Sequence, residues 1–433
     1  MTKGSNPFNP NSVVTPTLFA GRSQQVFQIL KKLRQVRDGM PASFVLTGDR
    51  GIGKTALAKL IMYAAESNDP TFENLNFLTT YYSVERDQTF DSVLQAALNG
   101  LTDRMPKSVL DRLSSRLGSY FKNGKFTVGA FGSSASYEHG SKEEASVPQV
   151  LKDRAVSALS NIITGIEEAT DASKKLDGVL IVIDEIHNAA DIGGVAQILR
   201  GIVTTLDVSR LGRVSFMVIG YPYGVEKFFE GDPSARRHFD VIELSVMPRE
   251  DAKSVLMKGF DKIGLQCSKE SLEKHIDTAG GYPHSIQIIG HNLVEQDRDG
   301  MIDEKDWGEA LSRSALELQS KDFSEMYDFK GKMTLREQLV NVLALAGRPM
   351  SKLELKDHLG GKNIYTASCL GELKKSGAVT ESTGGILTLH SMLFRAAVLI
   401  HIFTQTSKNT ELEELVQKLM PTASQGLLSS EKK

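Results

Sequence analysis

The run Gly48-Asp49-Arg50-Gly51-Ile52-Gly53-Lys54-Thr55 has residue types and spacing suited to holding phosphate. Glycines without side chains let the chain wrap tightly and aim successive backbone N–H groups at an anion. Lys54 places a charge on β- and γ-phosphates, and Thr55 offers a hydroxyl to Mg²⁺. Ala56 opens a helical run over 56–61, whose positive dipole end faces the same anion. The apolar run 43–47 in front reads as a strand, so the order is strand, loop, helix. Gly48, Asp49, Arg50, Gly51, Ile52, Gly53, Lys54, Thr55 and Ala56 are the expected contacts of a nucleoside triphosphate.

A second constellation comes much later. Asp184 and Glu185 follow directly on the unbroken apolar run 179–183. Such a run fits a parallel strand buried on both faces. Ligands of open α/β sheets lie at the carboxyl ends of their strands. Asp184 is therefore expected to hold Mg²⁺ through its water shell, with Thr55. Glu185 is expected to polarise the water that attacks the γ-phosphorus. Paired carboxylates are common on surfaces, but a pair placed after such a run is not.

The positioning elements follow from periodicity. Strands are expected at 43–47, 77–83, 178–183, 214–220 and 240–244, alternating with helices, which gives a five-stranded parallel sheet covered on both sides. Residues 1–16 are rich in Asn, Pro, Ser and Thr and read as a flexible tail. Residues 103–150 interrupt the alternation and read as an insertion. Between 103 and 125, six basic residues (Arg104, Lys107, Arg112, Arg116, Lys122, Lys125) face two acids, a local balance of +4. This stretch reads either as a solvated loop or as a surface for DNA or a partner. After Pro248, helices are expected at 250–263, 268–279 and 283–296. Three more short ones at 335–345, 352–359 and 365–375 precede a hairpin at 377–389, the winged-helix pattern. The expected division is a core at 17–249, a helical lid at 250–330, a winged helix at 331–405 and a tail at 406–433.

Composition narrows the class. The 433 residues suggest two to four domains, and 40% hydrophobic with 24% charged residues is ordinary for a soluble chain. A net charge of −2 requires any nucleic-acid surface to be a local patch. Cys267 and Cys369 lie in unrelated segments, without disulfide framework or zinc spacing, so a cytoplasmic setting is the simplest expectation. Apolar runs fall far short of the ~20 residues that span a bilayer, and no membrane role is expected. His284 and His291 can share a helix face, which suits surface or capping roles better than a metal site.

The two motifs, the helical block and the winged-helix pattern, in this order, resemble the AAA+ superfamily, with most similarity to origin-recognition/initiator-like ATPases and the neighbouring STAND NTPases. Phe19-Ala20-Gly21-Arg22 resembles the F-x-G-R element before the core of those groups, which implies Arg22 near the adenine. Gly280-Gly281-Tyr282-Pro283 resembles their G-x-P lid element, which implies Pro283 against the nucleotide and His284 where a lid arginine is usual. Without the resemblance, Gly281 and Pro283 read as a helix stop and a helix start. Arg236 and Arg237, before the fifth strand, resemble the arginine-finger region. A finger implies a homo-oligomer with shared sites; the other reading is a surface pair. The chain departs from the pattern at the end of strand four, where Gly220-Tyr221-Pro222-Tyr223 replaces the usual polar residue.

The implied function is an ATP-binding and hydrolysing switch with Mg²⁺, ATP-driven lid closure and oligomerisation. One reading associates it with DNA, as an initiator-like, transposition-regulator-like or defence ATPase. From 350 to 399 the balance is only +2, and Lys362, Lys374 and the wing near Ser382-Thr383 are the candidate contacts, with Thr366 and Ser368 facing a groove. The alternative is a STAND-like signalling ATPase whose winged helix contacts protein. A nucleotide kinase is disfavoured, since no acceptor pocket is visible.

Overall fold

The structure is a computed structural model. It describes residues 5–10, 21–72, 74–105, 110–111, 121–122, 125–126, 147–168, 175–321, 323–330, 333–361, 367–382, 384–405, 414, 416, 418 and 419. Expectations placed on Phe19, Ala20, Lys362, Tyr365, Thr366 and Thr383, on most of the 103–150 insertion and on most of the 406–433 tail lie outside the described residues. The contacts divide the chain into two compact units. One comprises 22–49 and 54–245; the other comprises 50–53 and 246–433, with residues 1–21.

The first unit is built on β1 (Ser43–Gly48), β2 (Phe77–Ser83), β3 (Gly178–Asp184), β4 (Val214–Gly220) and β5 (Phe239–Leu244). All neighbours pair in parallel, in the order β2-β3-β4-β1-β5. Burial explains the patterns along the chain. Central strands β1, β3 and β4 are buried at every residue, and their sequences are correspondingly apolar on both faces. The edge strand β5 alternates instead, with Val241 exposed. Around the sheet lie α1 (Ser23–Arg37), α2 (Lys54–Glu66), α3 (Phe90–Thr102), α4 (Val147–Glu167), α5 (Ile192–Val208) and α6 (Pro222–Gly231). One core joins β3 and β4 to residues of α3, α4, α5 and α6. Its apolar positions recur at helical spacing, as at Val195, Ile198, Leu199, Ile202, Val203 and Leu206 of α5.

The second unit begins with α7 (Arg249–Lys262), α8 (Lys269–Ala279), α9 (Pro283–Gln296) and α10 (Glu304–Ser320). Ser268 caps α8, Gly280 ends it in the left-handed region at φ 60°, and Pro283 occupies the first turn of α9. Stop and start signals thus share four residues. Helices α11 (Leu335–Ala346), α12 (Lys352–His358) and α13 (Ala367–Lys375) follow, with an antiparallel sheet of β6 (Met350–Ser351), β7 (Val379–Glu381) and β8 (Ile386–Leu389) in the order β6-β8-β7. Capping boxes start α11 at Thr334/Glu337 and α12 at Ser351/Glu354. A last helix, α14 (Met392–Gln405), was not expected from the sequence.

Two expectations need correction here. The lid and the C-terminal block are not separate domains; one hydrophobic core runs through α7 to α14. The cause is α14, which packs on α10 and α11, on either side of the expected break at 330/331. Gln319 donates to the Ala397 carbonyl at 2.8 Å, and Arg395 Nε to that of Ala344 at 2.7 Å. Nor is the whole N-terminal stretch a flexible tail. Phe8 is 1% exposed in the core of this unit, edge-on to Phe260 at 5.3 Å. Its carbonyl meets His291 Nδ1 at 3.0 Å, and the Asn9 N–H donates to Gln287 at 3.2 Å. Among the described residues, no helix is long and apolar enough to cross a membrane.

Candidate active site

The sheet order places the two motifs at the same end of nearly adjacent strands. β1 leads into the glycine-rich loop, β3 ends on Asp184, and β4 lies between them, with Thr47 opposite Gly220 and Ile183 opposite Val218. Gly48, Gly51 and Gly53 take φ of 150°, 73° and 96°, conformations open to glycine and costly for other residues. The loop therefore needs its glycines for its path.

Lys54 is buried, with 7% exposure, and its Nζ donates to the carbonyls of Gly48 at 2.8 Å and Asp49 at 2.9 Å. The ammonium lies 4.4 Å from the centre of the Tyr221 ring, a cation–π contact at the end of β4. Thr55 Oγ1 donates to Asp184 Oδ2 at 2.7 Å. Asp184 is 1% exposed, and its other oxygen accepts from the Glu185 N–H at 2.8 Å. Tyr81, near the end of β2, also donates to Asp184 Oδ2, at 2.9 Å. Burial first, and the Asp184 charge second, raise the Tyr81 phenol above its ordinary range, so it remains a donor at neutral pH. Carboxylate and hydroxyl oxygens gathered beside a phosphate-binding loop are the donor set of a hard divalent cation. Among the described residues, no group of three or more His, Cys, Asp or Glu forms a site on its own.

Glu185 has left-handed backbone, φ 57° and ψ 38°. For a non-glycine residue this costs about 1 kcal/mol or more and is common at functional sites. Its Oε2 lies 3.1 Å from His187 Nε2. Arg22 is 4% exposed and donates to the Ser245 carbonyl at 2.6 Å, just past the end of β5 whose Leu244 pairs with Gly48. It therefore stands at the loop end of the sheet.

Arg236 and Arg237 are not brought to this end. They lie exposed in the turn Pro233–Arg237, with the Arg236 guanidinium 4.3 Å from the Phe229 ring centre. The strand they precede opens at Phe239, opposite Ser43, five residues of β1 before Gly48. That separation is roughly 16 Å along the strand. In the second unit, residues 50–53 lie against the start of α9. The His284 N–H donates to the Gly51 carbonyl at 3.3 Å, and Pro283 lies beside Gly53. Arg50 pairs with Glu325.

Sequence reasoning missed Tyr81 and His187. Tyr81 read only as a strand residue, though its place near the carboxyl end of β2 was a usable signal. His187 lay three residues past Asp184, but nothing local indicated which way its ring would turn.

Residues 18–217 match the family model of the AAA ATPase domain. The fold is similar to that of a Walker-type ATPase of Pyrococcus abyssi, at 13% identity and a TM-score of 0.52 over 87% of this chain and 95% of that one. It is also similar to the ORC2 protein of Aeropyrum pernix in its ADPNP–ADP complexes, at 13% identity and a TM-score of 0.51 over 97% and 99%. No curated protein sequence matches. The family match and the loop–carboxylate geometry together give the chain an AAA ATPase domain at 18–217, which supports an ATP-hydrolysing enzyme.

Proposed function

We propose that this ATPase is a nucleotide-driven switch in which Lys54 and the loop from Gly48 to Ala56 grip the triphosphate, Thr55 and Asp184 hold Mg²⁺, and Glu185 activates the attacking water. The observation that carries this is the 2.7 Å approach of Thr55 to Asp184. It brings together, beside the glycine-rich loop, the hydroxyl and carboxylate that would hold Mg²⁺, whose charge would offset that of the phosphates. Arg22 takes the adenine side. Pro283 and His284 follow nucleotide occupancy through the Gly51 carbonyl, which is how ATP closes the lid. Arg236 or Arg237, remote from the site on their own sheet, serve a neighbouring subunit of a homo-oligomer.

The further reading is association with DNA through the C-terminal block, read as a winged helix with α13 as its recognition helix. Three helices and a three-stranded antiparallel sheet support it. A specific observation favours the second reading, a protein partner. Lys352 and Lys374 both pair with Glu381, so one carboxylate engages two of the six Lys and Arg residues between 350 and 399. Leu353 is 67% and Ile386 41% exposed on the same block, and apolar side chains suit protein better than phosphate.

One assay separates the two. ATP turnover is measured with and without duplex DNA across a range of salt concentrations. The DNA reading expects stimulation at low salt that fades steeply as salt rises. Turnover indifferent to DNA at every salt concentration rejects it in favour of the protein partner. Loss of turnover in Lys54→Ala ties the measured activity to this site.

A further inference from the structure

The seat of His187 gives this side chain a task in the reaction. Gly224, in the first turn of α6, leaves the space that His187 fills; a Cβ there would lie 2.5 Å from His187 Cβ. The imidazole packs on the Tyr221 ring with centres 4.3 Å apart and planes tilted by 40°. Tyr221 in turn carries Lys54 on its ring. Beneath the same turn, Gly220 makes room for Ile186, whose side chain is fully buried. The ring of His187 is therefore fixed from two sides by the residues that follow β4, while its Nε2 reaches Glu185 Oε2 at 3.1 Å.

Glu185 itself follows a buried strand but has a half-exposed side chain on left-handed backbone. A glutamate has three side-chain torsions, and a base must hold its oxygen within hydrogen-bond reach of one water. An imidazole donating from Nε2 to Oε2 fixes the carboxylate plane and leaves Oε1 to receive the proton. We propose that His187 is the positioning residue of the catalytic base: it orients Glu185 toward the attacking water, and the Gly220–Gly224 turn exists in this form to seat it. No proton passes through His187. The water proton goes to Glu185, and the hydroxyl bonds to the γ-phosphorus as ADP leaves. This inference rests on Glu185 being the base.

Two substitutions of similar size separate orientation from packing. His187→Gln keeps an N–H donor about where Nε2 stands; His187→Leu fills the seat without one. Steady-state kinetics and binding of a slowly hydrolysed ATP analogue are measured for both, beside Glu185→Gln. The expectation is a fall in kcat of about 10- to 100-fold for His187→Leu, the scale of a misplaced reacting group. KM and analogue affinity should stay within about twofold, and His187→Gln should recover most of kcat. A wild-type kcat in His187→Leu, or equal losses in the Leu and Gln variants, overturns the proposal while leaving Glu185 in place. Wild-type turnover in Glu185→Gln removes the base assignment itself. The Gln variant also covers the case in which Leu disturbs folding: a fully folded His187→Gln enzyme with kcat as low as that of Glu185→Gln sinks the orienting role.

Discussion

Thr55 Oγ1 and Asp184 Oδ2 meet at 2.7 Å across 129 residues of chain, joining the start of α2 to the end of β3. The hydroxyl here donates to the carboxylate that is proposed to share a cation with it. If Thr55 and Asp184 hold Mg²⁺ as proposed, the Thr55 oxygen would turn to the cation instead. Thr55→Val keeps the shape and removes the oxygen. ATP affinity in Mg²⁺ should then fall by about tenfold or more, toward the value in EDTA, while the EDTA value itself changes little. Equal losses with and without Mg²⁺ would show that Thr55 serves the loop and not the metal.

Arg236 and Arg237 project near the start of β5, remote from the phosphate loop at the other end of the sheet. An arginine there reaches a γ-phosphate only from another subunit. The double variant Arg236→Ala/Arg237→Ala should lose turnover by about 10³-fold, the lower end of what a finger supplies. Mixing it with Glu185→Gln, itself inactive, should restore activity, because the mixed interface pairs an intact base with an intact arginine. Inactivity at every mixing ratio would reject shared sites.

How much was legible depended on how local each signal was. The strand–loop–helix order and the place of the Asp184/Glu185 pair at the end of β3 were readable because they are written in contiguous residues beside continuous apolar runs. Strands β1, β3 and β4 showed those runs because they are buried on both faces. Helix α14 escaped because Leu393, Phe394, Ala397, Val398 and Ile402 stand among further apolar residues, which blurs a single-faced period. Phe8 escaped for another reason. It is one aromatic in a polar stretch, and the niche that receives it is made by glycines some 250 residues away. Likewise the His187 seat depends on what is missing from Gly224. A sequence shows the residues present, and the room left by absent side chains appears only in three dimensions.

That niche gives a stability prediction. A Cβ on Gly259 would lie 2.2 Å from the Phe8 ring, and one on Gly290 2.9 Å. Phe8→Ala should destabilise the second unit by about 3–5 kcal/mol, the usual cost of emptying a buried phenylalanine site. Gly290→Ala should cost about 1–3 kcal/mol by overpacking. In the Phe8→Ala background the Gly290→Ala cost should largely vanish, since the ring it strikes is gone. Urea unfolding of the four proteins tests this, and strictly additive losses would mean that Phe8 does not occupy the niche in solution.

His275 gives the same unit a pH dependence with a defined sign. Its side chain is 1% exposed; Nε2 lies 3.2 Å from the Ile286 carbonyl, and Nδ1 has no hydrogen-bond partner among the described residues. Burial pushes its pKa from 6.5 down to about 3, outweighing the opposing hydrogen bond. The unfolded chain takes up a proton as pH falls through 6.5, while the folded unit refuses it until about pH 3. Stability is therefore complete above pH 6.5 and is lost as pH falls below that value, by up to about 1.4 kcal/mol per pH unit. His275→Gln keeps a donor for the Ile286 carbonyl and removes the titration. Between pH 7 and pH 5 its unfolding free energy should change less than that of the wild type, the remaining slope belonging to carboxylates. Trp307, the only tryptophan of the chain, has its ring 6.1 Å from His275 and reports the transition by fluorescence. Parallel slopes for the two proteins would mean that His275 is already protonated in the folded state, or reached by water, near neutral pH.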